Sequence, residues 1–334
     1  MCEENVHVSE DVAGSHGSFT NARPRLIVLI RHGESESNKN KEVNGYIPNH
    51  LISLTKTGQI QARQAGIDLL RVLNVDDHNL VEDLAKKYIK DESSRRTLPL
   101  KDYTRLSREK DTNIVFYTSP YRRARETLKG ILDVIDEYNE LNSGVRICED
   151  MRYDPHGKQK HAFWPRGLNN TGGFYENNED NICEGKPRKC YLQYRVKDEP
   201  RIREQDFGNF QKINSMQDVM KKRSTYGHFF FRFPHGESAA DVYDRVASFQ
   251  ETLFRHFHDR QERRPRDVVV LVTHGIYSRV FLMKWFRWTY EEFESFTNVP
   301  NGSVMVMELD ESINRYVLRT VLPKWTDCEG DLTT

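Results

Sequence analysis

Two histidine-glycine pairs stand where apolar runs stop. Leu26-Ile27-Val28-Leu29-Ile30 ends in Arg31-His32-Gly33-Glu34, and Val268-Val269-Val270-Leu271-Val272 ends in Thr273-His274-Gly275. An imidazole can act as a nucleophile or carry a proton near neutral pH. A guanidinium is a permanent cation whose donors match the oxygens of an anion. Two imidazoles with Arg31 beside them suit chemistry on an anionic group, provided the two run ends lie side by side. Alone, Arg31-His32-Gly33 reads first as a solvated turn after a strand, and it is the repetition that gives the chemical reading weight.

The elements around these residues supply the placement. Short, continuous apolar runs with branched residues read as strands buried on both faces of a mostly parallel sheet. In an open α/β sheet the loops leaving the carboxyl ends of the strands form the binding crevice. A third run, Ile114-Val115-Phe116-Tyr117, leads into Thr118-Ser119-Pro120-Tyr121-Arg122-Arg123-Ala124-Arg125, and Ala124, Leu128, Ile131 and Ile135 then recur at helical spacing. Pro120 fits a helix start, where orphan N–H groups and the helix dipole favour an anion. The plainer reading of the three arginines is a solvated basic face. Thr55 caps a helix carrying Ala62, Ala65, Leu69 and Leu73, and Ser238 caps one carrying Val242, Val246, Phe249 and Leu253. A further helix is expected around Tyr277 to Trp288, and strands over Ser303 to Leu309 and Tyr316 to Leu322. The fold class is α/β, in three layers, with a central, mostly parallel sheet flanked by helices.

These motifs resemble the histidine phosphatase superfamily in its phosphoglycerate-mutase-like branch, from about Leu26 to Leu322. The resemblance implies that His32 is phosphorylated and that His274 is the second pocket histidine. It places Arg31, Asn38 and Arg123 on the phosphate, with Ser119 in the same pocket. Arg201-Ile202-Arg203-Glu204-Gln205-Asp206-Phe207-Gly208 is similar to the family segment with the acidic proton donor, which selects Glu204; Glu149, lacking the Phe-Gly that follows, is the rival. Glu34, Glu237 and Arg245 are expected to support the site from behind. Pro234-His235-Gly236-Glu237-Ser238 matches the family's Pro-Gly-Gly-Glu-Ser turn except at His235, whose role stays open.

Composition bounds the rest. The 334 residues carry 50 basic and 50 acidic side chains, so no overall field draws nucleic acid or an anionic membrane. Cys2, Cys148, Cys183, Cys190 and Cys328 are odd in number and scattered, which fits free thiols in a reducing compartment. A soluble protein of the cytoplasm, or also of the nucleus, is expected, with no membrane span and no signal peptide. Residues 1–24 read as a mobile tail, followed by one domain over 25–334. Charged residues near 74–111 read as a partly helical, solvated insertion. Those at 152–198, which mix loop formers with aromatics, read as a partly folded flap. Phe229 to Phe233 is expected to pack in the core.

The function implied is metal-independent hydrolysis of phosphate monoesters through a phosphohistidine, of the broad-range acid phosphatase kind. No cofactor and no metal are expected, and the partner is a small phosphorylated substrate. A phosphoglycerate mutase, a sugar bisphosphatase and a non-catalytic phosphate-binding or scaffolding protein are the alternatives. Mutases usually carry Glu-Arg-x-Tyr-Gly where this chain has Glu204-Gln205-Asp206-Phe207-Gly208, which favours hydrolysis.

Overall fold

The computed structural model describes residues 23–75, 77–89, 98–99, 112–143, 155, 192–208, 213–257 and 267–325. The five cysteines, Glu149, most of the expected tail and the larger part of both expected insertions lie outside them. Among the described residues, fourteen helices and strands follow one another along the chain. They are β1 (Leu26–Arg31), α1 (Glu36–Lys39), α2 (Lys56–Val72), α3 (His78–Tyr88), β2 (Thr112–Thr118), α4 (Arg122–Ser143), β3 (Leu192–Asp198), α5 (Ile213–Tyr226), α6 (Ala239–Phe257), β4 (Val268–Thr273), α7 (Gly275–Phe286), α8 (Tyr290–Ser295), β5 (Val304–Asp310) and β6 (Arg315–Leu318).

The sheet order is β3-β2-β4-β1-β5-β6. The first four strands run parallel, while β5 is antiparallel to both of its neighbours. Strand alternation divides the core. Leu26, Val28 and Ile30 face α2, α3 and α4, whereas Ile27 and Leu29 face α6 and α7. Each central strand is thus covered on both sides, which is why it reads as an unbroken apolar run.

The β1–β4 register runs from Leu26 opposite Val268 to Arg31 opposite Thr273. Both strands therefore end level, and His32 and His274 leave the same edge of the sheet. The expected caps hold: Thr55 Oγ1 accepts from Gly58 N at 3.0 Å, and Ser238 Oγ from Asp241 N at 3.2 Å.

Three expectations are revised. The last residues of the expected flap, Leu192–Asp198, form β3, a parallel edge strand in register with β2. Its main chain completes the ladder there, and Asn139 on α4 exchanges two 2.9 Å hydrogen bonds with Leu192. Within the expected solvated insertion, α3 buries Val81, Leu84 and Ala85, because its apolar residues recur at helical spacing and pack on α2 and α4. At the end of the expected tail, Arg23 donates to Asn314 O at 3.3 Å and Pro24 O accepts from Tyr316 Oη, so both residues are tied to the β5–β6 hairpin. In the aromatic run, Phe229 and Phe233 are buried as expected, while Phe230 is exposed.

Candidate active site

The site is built at the level end of β1 and β4. His32 N donates to Thr273 O at 2.9 Å, which extends the ladder to the histidine itself. The loop beyond it cannot swing outward, because Gly33 lies against the first turn of α2. A Cβ at Gly33 would stand 2.3 Å from Gly58 O, closer than any side chain allows. Thr127 of α4 accepts from Gly33 N at 3.0 Å, and Asn301 Nδ2 donates to His32 O at 3.0 Å. Four elements distant in sequence thus fix one histidine.

The two rings meet edge to face with centroids 5.1 Å apart. His32 Nδ1 is 2.7 Å from Gly33 O, an acceptor only, so the neutral ring carries its proton on Nδ1 and its lone pair on Nε2. Arg123 Nε donates to that Nε2 at 3.2 Å. His274 Nε2 is 2.8 Å from Ser119 Oγ, while its Nδ1 is buried without a hydrogen-bond partner among the described residues. Ser119 Oγ already accepts from Tyr121 N at 3.3 Å. The hydroxyl can therefore give its own proton to Nε2, which leaves His274 with an N–H at Nδ1. One imidazole presents a lone pair and the other a donor.

Burial first, then Arg123 and Arg31, holds the His32 imidazole well below its ordinary 6.5. Burial, Arg123, His32, Arg245 and Arg31 do the same to His274. Both rings are neutral near pH 7, and the positive charge facing them is that of the arginines. Burial also lowers Arg123, to about 10, against the opposing field of Glu204. It stays a cation. Its Nη1 donates to Asn49 O at 2.7 Å and to Asn49 Oδ1 at 2.9 Å, which holds the guanidinium with its Nε–H on His32. Arg31 donates to Val299 O, and its buried Nε has no hydrogen-bond partner among the described residues.

Glu204 arrives from the far side of the sheet. Thr273 Oγ1 donates to Ile202 O at 2.7 Å, pinning the short turn Pro200–Ile202 to the end of β4. The Glu204 carboxylate is 7% exposed and accepts from Tyr277 N at 3.2 Å and Gln205 N at 3.0 Å. Arg245 holds the backbone around it, donating to Arg201 O at 2.7 Å, Arg203 O at 2.9 Å and Glu204 O at 3.1 Å. Glu237 pairs with Arg245 at 3.1 Å and accepts from Asp206 N at 3.0 Å. These two residues brace the segment that carries Glu204.

Other expected residues fall into different places. Glu34 accepts from Thr55 Oγ1 at 2.6 Å and so supports the start of α2, not the imidazole. Asn38 closes a capping box with Ser35 through Oδ1, so its amide nitrogen is the group left to donate to a phosphate. Arg122 pairs with Glu126 at 2.8 Å and Arg125 with Asp198 at 3.0 Å; of the three crowded arginines, Arg123 enters the pocket. His235 is exposed with φ at 57°, the left-handed region. The backbone, not the ring, explains why the family pattern has glycine there. Sequence reasoning missed Thr127, Asn301, Asn49 and Tyr121. The Tyr121 ring lies 5.2 Å from that of His274 and 4.9 Å from the Arg123 guanidinium carbon.

A sequence profile described as the histidine phosphatase superfamily (branch 1) matches residues 188–321. A phosphoglycerate mutase-like protein of Arabidopsis thaliana, AT74H, is 34% identical over 86% of this chain and 75% of its own length. The chain is also 99% identical, over the full length of both, to a Saccharomyces cerevisiae protein named broad-range acid phosphatase DET1. The chain belongs to the histidine phosphatase superfamily. A solved structure of a mycobacterial glucosyl-3-phosphoglycerate phosphatase is similar at 17% identity and a TM-score of 0.48, over 90% of this chain and 100% of that one. Within this histidine phosphatase, Arg31 and His32 come from the end of β1, Arg123 from α4, His274 from the β4–α7 junction and Glu204 from the segment after β3.

Proposed function

We propose that this chain is a broad-range acid phosphatase that hydrolyses phosphate monoesters without a metal, through a phosphohistidine on His32. The observation that carries the reading is the fixed tautomer of His32. Its Nδ1 proton is committed to Gly33 O, and the Nε2 lone pair points to where Arg123 concentrates positive charge. Near-identity to a protein named for this activity supports it.

In the first step Nε2 attacks phosphorus and the ester P–O bond breaks. The departing oxygen takes a proton from Glu204, since an alkoxide is too basic to leave unaided. Arg31, Arg123 and the His274 N–H neutralise charge on the phosphoryl oxygens, the dominant requirement in phosphoryl transfer. In the second step Glu204 takes a proton from water, which attacks phosphorus; the N–P bond breaks and inorganic phosphate leaves. Because His32 is held well below 6.5, it remains an unprotonated nucleophile on the acid side of neutrality. The five scattered cysteines support placement in the cytoplasm or nucleus.

Acid quench during turnover of a labelled ester should trap acid-labile phosphate on the wild type and none on His32→Ala. Undiminished label in that variant would move the nucleophile elsewhere. Exhaustive dialysis against EDTA should leave turnover of p-nitrophenyl phosphate unchanged; loss that magnesium or zinc restores would refute the metal-free reading.

A further inference from the structure

Two partners grip Arg123 in the plane of its guanidinium: His32 Nε2, 3.2 Å from Nε, and Asn49, whose two oxygens lie 2.7 Å and 2.9 Å from Nη1. The first of these bonds cannot last through the reaction proposed above. The Nε2 lone pair that accepts from Arg123 is the pair that attacks phosphorus, and one lone pair cannot do both. Asn49 then holds the guanidinium at a single nitrogen, about which the plane can tilt. A group displaced by about 1 Å at that moment can cost about a hundredfold in rate. Something other than His32 has to keep Arg123 on the phosphoryl oxygens.

The Tyr121 ring is placed to do so. The guanidinium lies over its face, 4.9 Å from carbon to centroid, where the π density attracts the cation and in-plane hydrogen bonds do not compete. The same ring stands 5.2 Å from that of His274 at an interplanar angle of 69°, so His274 is held edge to face between Tyr121 and His32. Tyr121 is itself fixed by its main chain. Its N donates to Ser119 Oγ at 3.3 Å, and its O accepts from Ala124 N at 2.9 Å and Arg125 N at 3.1 Å at the head of α4. Burial raises the half-buried phenol above its ordinary value, against the opposing Arg123, so the ring is neutral across the acid range. None of these contacts uses the His32 lone pair, and none has to break when attack begins.

We propose that Tyr121 is a positioning residue of this site: its π face keeps Arg123 on the transferring phosphoryl group once the His32 lone pair is committed to phosphorus, and the same ring sets the spacing between Arg123 and His274. The role rests on the phosphohistidine reading. It belongs to the ring and not to the hydroxyl, which separates it from that of a substrate-binding or acid–base tyrosine. It also ties α4 to the β4–α7 junction, so that the cation and the imidazole donor reach the phosphoryl oxygens as one unit.

The test grades the π face while conserving its shape. Tyr121→Phe should stay within about twofold of wild type in kcat/KM for an alkyl phosphate, whereas Tyr121→Leu should fall by about tenfold or more, the size of a cation–π contact to a desolvated guanidinium. Mono-, di- and trifluorophenylalanine introduced in place of Tyr121 withdraw electron density from the face stepwise. The logarithm of kcat/KM, the burst rate of phosphoenzyme and the affinity for inorganic phosphate should then fall with each added fluorine. A flat fluorine series overturns the proposal, since packing alone would account for the ring. Activity of Tyr121→Leu close to wild type overturns it too, as does a loss in Tyr121→Phe equal to that in Tyr121→Leu, which would assign the role to the hydroxyl. If Tyr121→Leu fails to fold, the fluorine series, which keeps the ring, decides. Failure of the phosphatase reading would appear separately, as no hydrolysis of any ester by wild type, and calorimetric binding of inorganic phosphate across the same series would still report the contact between Tyr121 and Arg123.

Discussion

The pocket works through hydrogen bonds that choose protons. Gly33 O fixes the His32 tautomer, and Ser119 Oγ, by donating to Nε2, lets His274 keep its proton on Nδ1. Ser119→Ala should release the second choice: Nε2 can then keep the proton, and Nδ1 becomes an acceptor facing a phosphoryl oxygen. A fall in kcat/KM of about a hundredfold is expected, the lower end of the range for losing one donor to a developing charge. Ser119→Thr, which keeps the hydroxyl, should recover most of it; equal loss in both variants would mean that packing at Ser119, not its proton, matters. Arg31, His32 and His274 were legible because two apolar runs end in the same pair of residues. Arg123 became legible only through the family pattern, since Arg122 and Arg125 are chemically alike and nothing local says which one turns inward. Thr127, Asn301 and Asn49 carried no signal. They act on His32 and Arg123 from more than 70 positions away, and a lone Thr or Asn has the same appearance in any loop.

Among the elements, the segment after β3 depends on help from α6. Arg245 fills three carbonyls of residues 201–204 and Glu237 holds it there. Arg245 thus fixes the backbone that carries Glu204, and on the proposed mechanism it is a positioning residue. Arg245→Met should leave attack by His32 nearly intact and misplace Glu204, for which a displacement of about 1 Å can cost about a hundredfold. The burst of phosphoenzyme should therefore slow far more for an alkyl phosphate, whose leaving oxygen needs the proton, than for p-nitrophenyl phosphate. Equal slowing for both esters would assign Arg245 a purely structural part. Helices were the most legible elements, because α2, α4 and α6 keep an apolar face over many turns. β3 was not: at the sheet edge, Gln193 to Lys197 are all half-buried, so no alternation or apolar run marks it, and the Asn- and Gly-rich segment before it suggested a loop. Edge strands are specified by main-chain pairing, which composition does not display.

On the scale of the whole molecule, the sheet order was hidden by its crossovers, but levelling β1 with β4 has a consequence for the entire fold. It buries two imidazoles side by side in neutral form. In the unfolded chain a histidine takes up a proton near pH 6.5. In the folded protein His32 and His274 are both held well below 6.5, by burial first and Arg123 second. At any pH between those values the unfolded chain binds more protons than the folded one, so stability rises with pH across that window. The contribution is complete above about 6.5 and is lost progressively as pH falls toward the folded values, at up to about 1.4 kcal/mol per pH unit for each ring. On the proposed mechanism, an enzyme working in acid thus keeps His32 unprotonated at the expense of folded stability. Phosphate, bound by the folded site alone, should offset the loss by mass action. Calorimetric unfolding at pH 7, 6 and 5 should show a steeper fall in Tm for wild type than for His274→Gln, whose side chain does not titrate. Inorganic phosphate should raise the wild-type Tm at each pH. Carboxylates elsewhere titrate alike in both proteins and cancel in the difference, so parallel Tm curves from pH 7 to 5 would show that the buried imidazoles are not the source of acid sensitivity.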